Sequence, residues 1–544
     1  MRRCPRSSKN ARKARRSSST VTKGVSGFER SRRPCGRQIS LASDRLEVDG
    51  WPSVGWRLQA GQFSPPAQGL WTMTPRPGAA PVLTAPMTSA ASSLAGWTAV
   101  VLAGGPGTRM RSALPKALHP VAGVPMVRLV CDLLRAAGCT SIVVVARDAI
   151  EEIGAAAGEY VRMARQDGGR GTAHAVLAAR EVASERGPLL LLHGDMPLLT
   201  TRTLLEMAGR HVAAPSSLTF LTAYLPDPKG YSRVERRNGK VHGIVAEADL
   251  SPAMRGAPEV DAGMYAVEAE WLWRALTAVA PNAGGELALG DLISLAVRGD
   301  GVEAYQVAET AEVLPVNDRV DLARAERILR DRVRERLMLE GVTLLDPATT
   351  YVDAGVEVGE DTVLLPGTTL SGRTRIAGGC RIGPNAVLID TTVGARTSIG
   401  ASTIEGSIIG EGVDIGPYCH LRPGSLIGNA VHLGNYVEVK ASTIGARTQA
   451  GHFCYIGDTT IGADVNIGAG TITANYDGVD KHRTVIGDGA FIGSDTVLVA
   501  PVTVGTEART AAGAIVTQDV PDGATVIGVP ARVRSSVSEG GRRA

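Results

Sequence analysis

Residues 409–440 read IGEGVDIGPYCHLRPGSLIGNAVHLGNYVEVK, and an aliphatic side chain returns there every sixth position, at Ile409, Ile415, Leu421, Ile427, Leu433 and Val439. A period of six matches neither the alternation of an ordinary strand nor the 3.6 of a helix. It is the hexapeptide repeat of a parallel β-helix, in which three hexads close one triangular coil. The same spacing runs through Ile376, Ile382 and Leu388, through Ile444, Ala450 and Ile456, through Ile461 and Ile467, and through Ile486, Ile492, Leu498, Val504, Thr510 and Val516. Each of these side chains is expected to point into the prism, with the small residue after it turning the corner. One coil cannot bury its own interior, so stability requires a stack. The register slips to five at Leu388/Val393 and at Val439/Ile444, and breaks between Ile467 and Ile486. That break contains Asn475-Tyr476-Asp477-Gly478-Val479-Asp480-Lys481, a polar loop that reads as an insertion or a binding element.

Upstream the pattern changes. Trp97–Leu102, Ser141–Val145 and Leu189–Leu192 are short apolar runs, the first ending at Gly104-Gly105 and the third at His193-Gly194-Asp195. A helical stretch around Met126 to Ala137 separates the first two. Strands alternating with helices predict an α/β domain, Rossmann-like, with a mostly parallel sheet. From Asp318 to Leu339 the residues Leu322, Ala325, Leu329, Val333 and Leu337 share one side of a helix and many Arg the other, which predicts an amphipathic arm. The expected division is a basic, low-complexity extension over 1–95, the α/β domain over 96–317, the helical arm over 318–341, a left-handed parallel β-helix over 342–533 and a flexible tail over 534–544.

The chain has 544 residues, 44% hydrophobic and 21% charged, an ordinary globular balance. Its net charge of +4 is uneven. Residues 1–90 hold 16 Lys/Arg against 4 Asp/Glu, so the remainder is about −8 and nothing argues that the folded body binds nucleic acid. The Arg- and Ser-rich start lacks a following apolar run and reads as a transit peptide or as residues ahead of a start at Met73 or Met87. No apolar run reaches the roughly 18 residues of a membrane span. Seven scattered cysteines without CxxC or zinc spacing fit a reducing compartment, and the cytoplasm is the expected location.

The segment Leu102-Ala103-Gly104-Gly105-Pro106-Gly107-Thr108-Arg109-Met110 follows a strand and precedes Leu114-Pro115-Lys116. Glycines let backbone N–H groups approach a phosphate chain, and Arg109 and Lys116 can neutralise charge developing on phosphorus. The loop ends in no Gly-Lys-Ser/Thr, so it is not a Walker A loop. It resembles the signature loop of the sugar-1-phosphate nucleotidyltransferases. Gln166 with Gly171-Thr172-Ala173-His174-Ala175 is similar to that family's uracil-recognising segment. His193-Gly194-Asp195-Met196-Pro197-Leu198 is similar to its strand end, and Val316-Asn317 to the Asn that completes its metal site. The resemblance implies UTP as co-substrate and Mg2+ held by Asp195 and Asn317. One carboxylate and one amide suit that ion, which takes its remaining ligands from phosphates and water. It further implies nucleotide-sugar binding by Leu102, Gly104, Gly105, Lys116, Gln166, Gly171, Thr172, Gly230, Glu247, Asp261 and Asn317. Ser232 replaces a Gly of the family turn, Glu247 stands one place beyond the family's Glu position (Ala246 here), and Asp261 replaces an Asn.

In the β-helix, Leu421-Arg422-Pro423-Gly424, Val437-Glu438-Val439-Lys440, Ala450-Gly451-His452-Phe453-Cys454-Tyr455 and Asn466-Ile467-Gly468-Ala469-Gly470-Thr471 occur in that order, ahead of the Asn475–Lys481 loop. Together they resemble the glucosamine-1-phosphate acetyltransferase domain of the bifunctional GlmU family. Amide formation needs a neutral amine, and histidine is the side chain that titrates near neutrality, so His452 is the candidate base. Arg422 and Lys440 can hold a sugar phosphate, while Tyr455, Asn466 and Asn475 can orient the sugar. The resemblance implies acetyl-CoA along Ala469, Asn475, Tyr476, Ser494 and Ala512, with Arg532 substituting for an Arg usual where Val529 stands. It also implies a homotrimer through the β-helix. Two other readings remain at this point. One is a single-activity nucleotidyltransferase whose β-helix only oligomerises or regulates. The other is a non-catalytic binding protein like the translation-factor exchange subunits.

Overall fold

The computed structural model describes residues 93–214, 216–282, 284–299 and 301–534. The basic extension up to residue 92, the tail from 535, and Cys4 and Cys35 lie outside the described residues. The α/β domain is built on a seven-strand path in the order Val302–Gln306, Leu218–Tyr224, Glu259–Glu268, Pro188–His193, Thr98–Leu102, Ser141–Ala146, Arg162–Arg165. Glu259–Glu268 runs antiparallel to both its neighbours and the other pairings are parallel. Thr98–Leu102 is buried along its whole length, as a central strand covered on both faces must be. Helices Met126–Ala136 and Thr201–Ala213 bury Val127, Leu134, Leu204 and Met207 against one face. Packing of this domain begins at Leu94, fully buried with its N–H on the Ala137 carbonyl, slightly ahead of the boundary expected at residue 96.

Beyond it most strands are only two or three residues long, two reach nine, His432–Lys440 and Gln449–Gly457, and all but the last pair stack in parallel. Ile376, Ile382, Leu388, Ile409, Ile415, Leu421, Ile427, Leu433, Val439, Ile444, Ala450, Ile456, Ile461, Ile467, Ile486, Ile492, Leu498, Val504 and Val516 are all buried, in one continuous apolar core. The period of six therefore records which side chains face inward, and the region is a parallel β-helix. The five-residue steps at Leu388/Val393 and Val439/Ile444 use left-handed backbone at Asp390 and Ala441, φ 49° and 45°.

Helix Arg319–Leu339 carries the chain from one unit to the other. Ala325, Leu329, Val333 and Leu337 on its buried side join the β-helix core, together with Val121 and Ala122 from the small hairpin that follows Lys116. Arg330 anchors the junction, with Nε 2.6 Å from Glu326 and Nη2 2.8 Å from Asp353. No helix among the described residues is long and apolar enough to cross a membrane.

Candidate active sites

The carboxyl ends of the parallel strands form one rim, where ligand-binding groups of open α/β sheets collect. Leu102 ends the first strand there, and the glycine loop follows. Gly107 is left-handed at φ 59°, and a β-carbon on it would come within 2.8 Å of Lys116 Cβ, so the loop closes onto Lys116 only with glycine there. Asp195 follows strand Pro188–His193, and Asn317 immediately precedes the arm, whose N-cap Asp318 accepts from the N–H groups of Val320 and Asp321. The Lys116 ammonium lies 2.5 Å from Asp195 Oδ2 and donates to Asn317 Oδ1 at 2.8 Å. Arg109 donates to the same Asn317 oxygen at 3.0 Å. Four residues expected at the phosphate and metal centre, spread over some 200 positions of chain, thus meet. Tyr231 faces the cluster, its phenol pushed up to about 12 by burial and then by the Asp321 and Asp195 charges.

The residues expected at the base and sugar ends are held by contacts to backbone. Gln166 is buried beside Gly104, while the backbone around Gly105 is open. Gly171 has φ 97°, and a β-carbon there would land on the Leu287 backbone. Thr172 begins a short helix and accepts from Leu289 N–H at 2.9 Å. On the sugar side Glu247 Oε1 accepts from Gly230 N–H at 2.6 Å, so the carboxylate one place beyond Ala246 still reaches the turn. Asp261 joins the same turn through its own N–H to Ser232 O, 3.2 Å. Its Oδ1 accepts from Gly263 N–H and its Oδ2 from the Tyr265 hydroxyl, at 2.9 and 2.6 Å, and burial raises its pKa.

The second cluster lies on strands His432–Lys440 and Gln449–Gly457, which pair in parallel with Asn435 beside His452 and Glu438 beside Tyr455. His452 is exposed. Gln449 opposite Asn466 and Tyr455 opposite Ile472 keep one register, which puts Ala469 over His452 in the next coil. The register of Asn466 with Phe491 and of Phe491 with Arg509 continues that column through Ser494 and Ala512. The corner above His452 is therefore lined by small side chains. Arg532 sits on the last antiparallel hairpin, opposite Ile527, its guanidinium donating to the Ala531 carbonyl, and Val529 is exposed. Arg422 pairs with Glu438 at 3.2 Å. Lys440 lies 2.9 Å from Asp458 Oδ2, an oxygen that also accepts from the Asn475 amide. Burial works against ionisation of Asp458, but those two donors hold its carboxyl below the usual range, and the Asp458 hydrogen bond raises Lys440. Asn466 is half-buried between Gln449 and Phe491. The extruded loop is tied internally, Asp477 accepting from the N–H groups of Val479 and Asp480 and lying 2.7 Å from His482 Nε2, and it leaves Tyr476 exposed.

Residues 99–267 match the MobA-like NTP transferase domain, 347–444 the GMPPB C-terminal domain, and 483–518 the hexapeptide repeat of succinyl-transferase. "Bifunctional protein GlmU" of Trichlorobacter lovleyi is 44% identical over 432 residues, covering 78% of this chain and 94% of that protein. The protein of the same name from Geobacillus thermodenitrificans is 45% identical, covering 79% and 95%, and that of Shouchella clausii 42%, covering 80% and 96%. The chain belongs to the GlmU family. It is a bifunctional enzyme, a nucleotidyltransferase and an acyltransferase on one polypeptide, and neither the single-activity nor the non-catalytic reading stands.

Sequence reasoning within this GlmU-family chain missed the partners of its own site residues. Asp458 lies one place beyond Gly457, the residue that pairs with Lys440, so exact hexad register does not reveal it. Glu438 stands two places before Lys440 but pairs with Arg422 of the preceding coil, and Tyr265 lies four places beyond Asp261, across an irregularity in its strand. Arg319 spans back to the signature loop, donating to the Met110 carbonyl at 3.3 Å, a separation no local pattern reports.

Proposed function

We propose that the chain acetylates glucosamine 1-phosphate on the β-helix and then joins the resulting N-acetylglucosamine 1-phosphate to the UMP part of UTP in the α/β domain, releasing pyrophosphate. The observation that carries the uridylyl half is the convergence of Asp195, Asn317 and Arg109 with Lys116. Two side-chain oxygens already gathered on an ammonium are suited to a cation, and so sparse a donor set fits Mg2+. When bound, that ion supplies charge neutralisation across the phosphates. With those oxygens given to the ion, Lys116 would be free to serve a phosphate oxygen. Arg109 adds a second cation as the sugar phosphate oxygen attacks the α-phosphorus in line and the bond to pyrophosphate breaks. Positioning and charge carry the rate, and no protein nucleophile is needed. Gln166, Gly171 and Thr172 address the base and ribose side, while Gly230, Glu247 and Asp261 address the sugar.

For acetyl transfer, His452 takes a proton from the sugar amine. The nitrogen lone pair adds to the thioester carbonyl, the C–S bond breaks, and coenzyme A leaves as thiolate, which the proton then neutralises. Arg422 and Lys440 receive the sugar phosphate in competition with Glu438 and Asp458. Tyr455, Asn466 and Asn475 orient the ring. The small column Ala469, Ser494, Ala512 leaves room for acetyl-CoA, with Tyr476 and Arg532 flanking it. A homotrimer through the β-helix would set the Asn475–Lys481 loop against a neighbouring copy, and the cytoplasm supplies both co-substrates. The test is a paired assay of the full chain, reading thiol release from acetyl-CoA and pyrophosphate release from UTP. Thiol release should depend on glucosamine 1-phosphate, and pyrophosphate on N-acetylglucosamine 1-phosphate and Mg2+. Thiol release no faster with the aminosugar phosphate than with buffer would remove the acetyl half.

A further inference from the structure

The nucleobase end of the first site holds a cation that neither the phosphate chemistry nor the sugar contacts use. Arg147 directly follows strand Ser141–Ala146, and Gln166 directly follows Arg162–Arg165, the next strand outward. Both strand ends meet the glycine loop. A β-carbon on Gly104 would lie 3.2 Å from Gln166 Oε1 and 3.3 Å from Arg147 N. The Arg147 Nη2 donates to the Gly169 carbonyl at 2.5 Å, while its Nε is buried without a partner. Among the described residues no carboxylate pairs with it, so a guanidinium has been brought to the base pocket for a backbone oxygen.

Gln166 points its Nε2 at the same Gly169 carbonyl, 3.4 Å, and at the Gly171 carbonyl, 3.3 Å. An amide facing two carbonyls presents its NH2 to them, which leaves Oε1 on the Gly104 side as an acceptor. An acceptor there suits uracil, whose N3 carries a hydrogen. Cytosine presents a bare N3, and two acceptors repel. The flip of Gln166 therefore discriminates bases, and it depends on where the Gly169 carbonyl sits. The intervening chain turns through glycines in left-handed backbone, Gly168 at φ 76° and Gly171 at φ 97°. Its far side is held by Leu287, whose N–H donates to the Arg170 carbonyl at 3.1 Å. On the near side the strong contact is Arg147, since a hydrogen bond from a charged donor is roughly twice as strong as a neutral one.

We propose that Arg147 is a positioning residue for nucleobase choice: its guanidinium pins the Gly169 carbonyl and so fixes Gln166 in the orientation that accepts from uracil N3–H. This rests on the uridylyl-transfer reading above. The test is steady-state kinetics of the full chain with UTP and with CTP for wild type, Arg147→Ala and Arg147→Lys, with acetyl transfer measured in parallel. Arg147→Ala should raise KM for UTP about tenfold, hold kcat within about threefold, and lower the UTP-to-CTP ratio of kcat/KM about tenfold. Arg147→Lys should recover part of that ratio, and acetyl transfer should not move. An unchanged ratio, or equal losses with both nucleotides, overturns the proposal. Should Arg147→Ala not fold, Arg147→Gln, which keeps bulk and loses charge, is read by the same ratio. Wild type without uridylyl transfer would remove the base pocket and this role together, whereas an active wild type with an unmoved ratio removes only the role of Arg147.

Discussion

The Lys116 ammonium occupies the point between Asp195 and Asn317, 2.5 Å from the one and 2.8 Å from the other. The ammonium satisfies both oxygens, and Mg2+ held there as proposed would free Lys116 toward the triphosphate. Lys116→Ala should lower kcat for uridylyl transfer by about 10²–10³, the usual loss for one charge-stabilising donor, and leave acetyl transfer intact. Chelation by EDTA should have the same selectivity. Acetyl transfer falling in step with pyrophosphate release, in either experiment, would contradict separate centres.

His452 is exposed on a corner with Asn435 below it and Ala469 above it. Neither neighbour can act as a base, so its removal leaves the amine proton with water. His452→Ala should reduce acetyl transfer by about 10²–10⁴, the range for general-base catalysis, with uridylyl transfer within a few-fold. His452→Gln separates proton transfer from simple occupancy of the corner. A glutamine variant retaining most of the rate would mean that the imidazole only fills space.

Much of this arrangement is legible in the sequence because burial in a β-helix is strictly periodic. The aliphatic positions from Ile376 to Val516 identify the interior, and the glycine loop with Lys116 marks the rim of the sheet. What the pattern hides is contact that leaves the period. Lys440 meets Asp458 one position out of register. Arg109 meets Asn317 across 208 positions. Leu94 belongs to the core although its surroundings are small and polar, because the Ala137 carbonyl fixes its backbone. Such contacts follow from how coils and strand ends are stacked, and a one-dimensional period does not carry that information.

The Lys440–Asp458 pair gives a pH signature. Asp458 titrates lower in the folded chain than unfolded, so its stabilisation is complete above the ordinary Asp value of about 3.9 and disappears as pH falls through the lower folded value. Lys440 titrates higher when folded, so its share is complete below about 10.4 and disappears as pH rises through the higher folded value. Asp458→Asn should accordingly lower Tm across the neutral range and by less at the acid extreme. It should also raise KM for glucosamine 1-phosphate, because Lys440 and the Asn475 amide lose a shared anchor. Thermal melts between pH 3 and 9, with KM at pH 7.5, decide it. An equal Tm difference at every pH would assign the effect to packing.

Asp261 is shifted in the opposite sense. Burial raises its folded value, so the carboxyl is favoured in the protonated form, fully so below the unfolded value near 3.9, and that contribution is lost as pH rises through the folded value. The charged form is favoured by hydrogen bonds from Tyr265 and Gly263 and by nearby His193, and burial outweighs them. Asp261→Asn keeps the shape and removes the charge. It should raise Tm at pH 7.5, with the gain vanishing toward pH 4. A lower Tm at neutral pH would mean that the carboxylate is needed as an acceptor more than its burial costs.

Gly434 and Gly451 lie side by side in adjacent coils, and a β-carbon on Gly434 would land on the Gly451 carbonyl oxygen. The obstacle is backbone, which cannot rotate away, and Gly451 precedes His452. Gly434→Ala should therefore force the two coils apart locally, at a cost of about 1–3 kcal/mol by the usual measure of overpacking. Because the displaced strand carries His452, the proposed base, acetyl transfer should fall further than stability alone predicts, while the α/β domain keeps its uridylyl rate. Gly412→Ala is the control, since nothing lies within 4 Å of a β-carbon there, although its φ of 65° still carries some strain. If both substitutions lowered acetyl transfer equally, the close approach of the two coils beneath His452 would have no special role in holding the base.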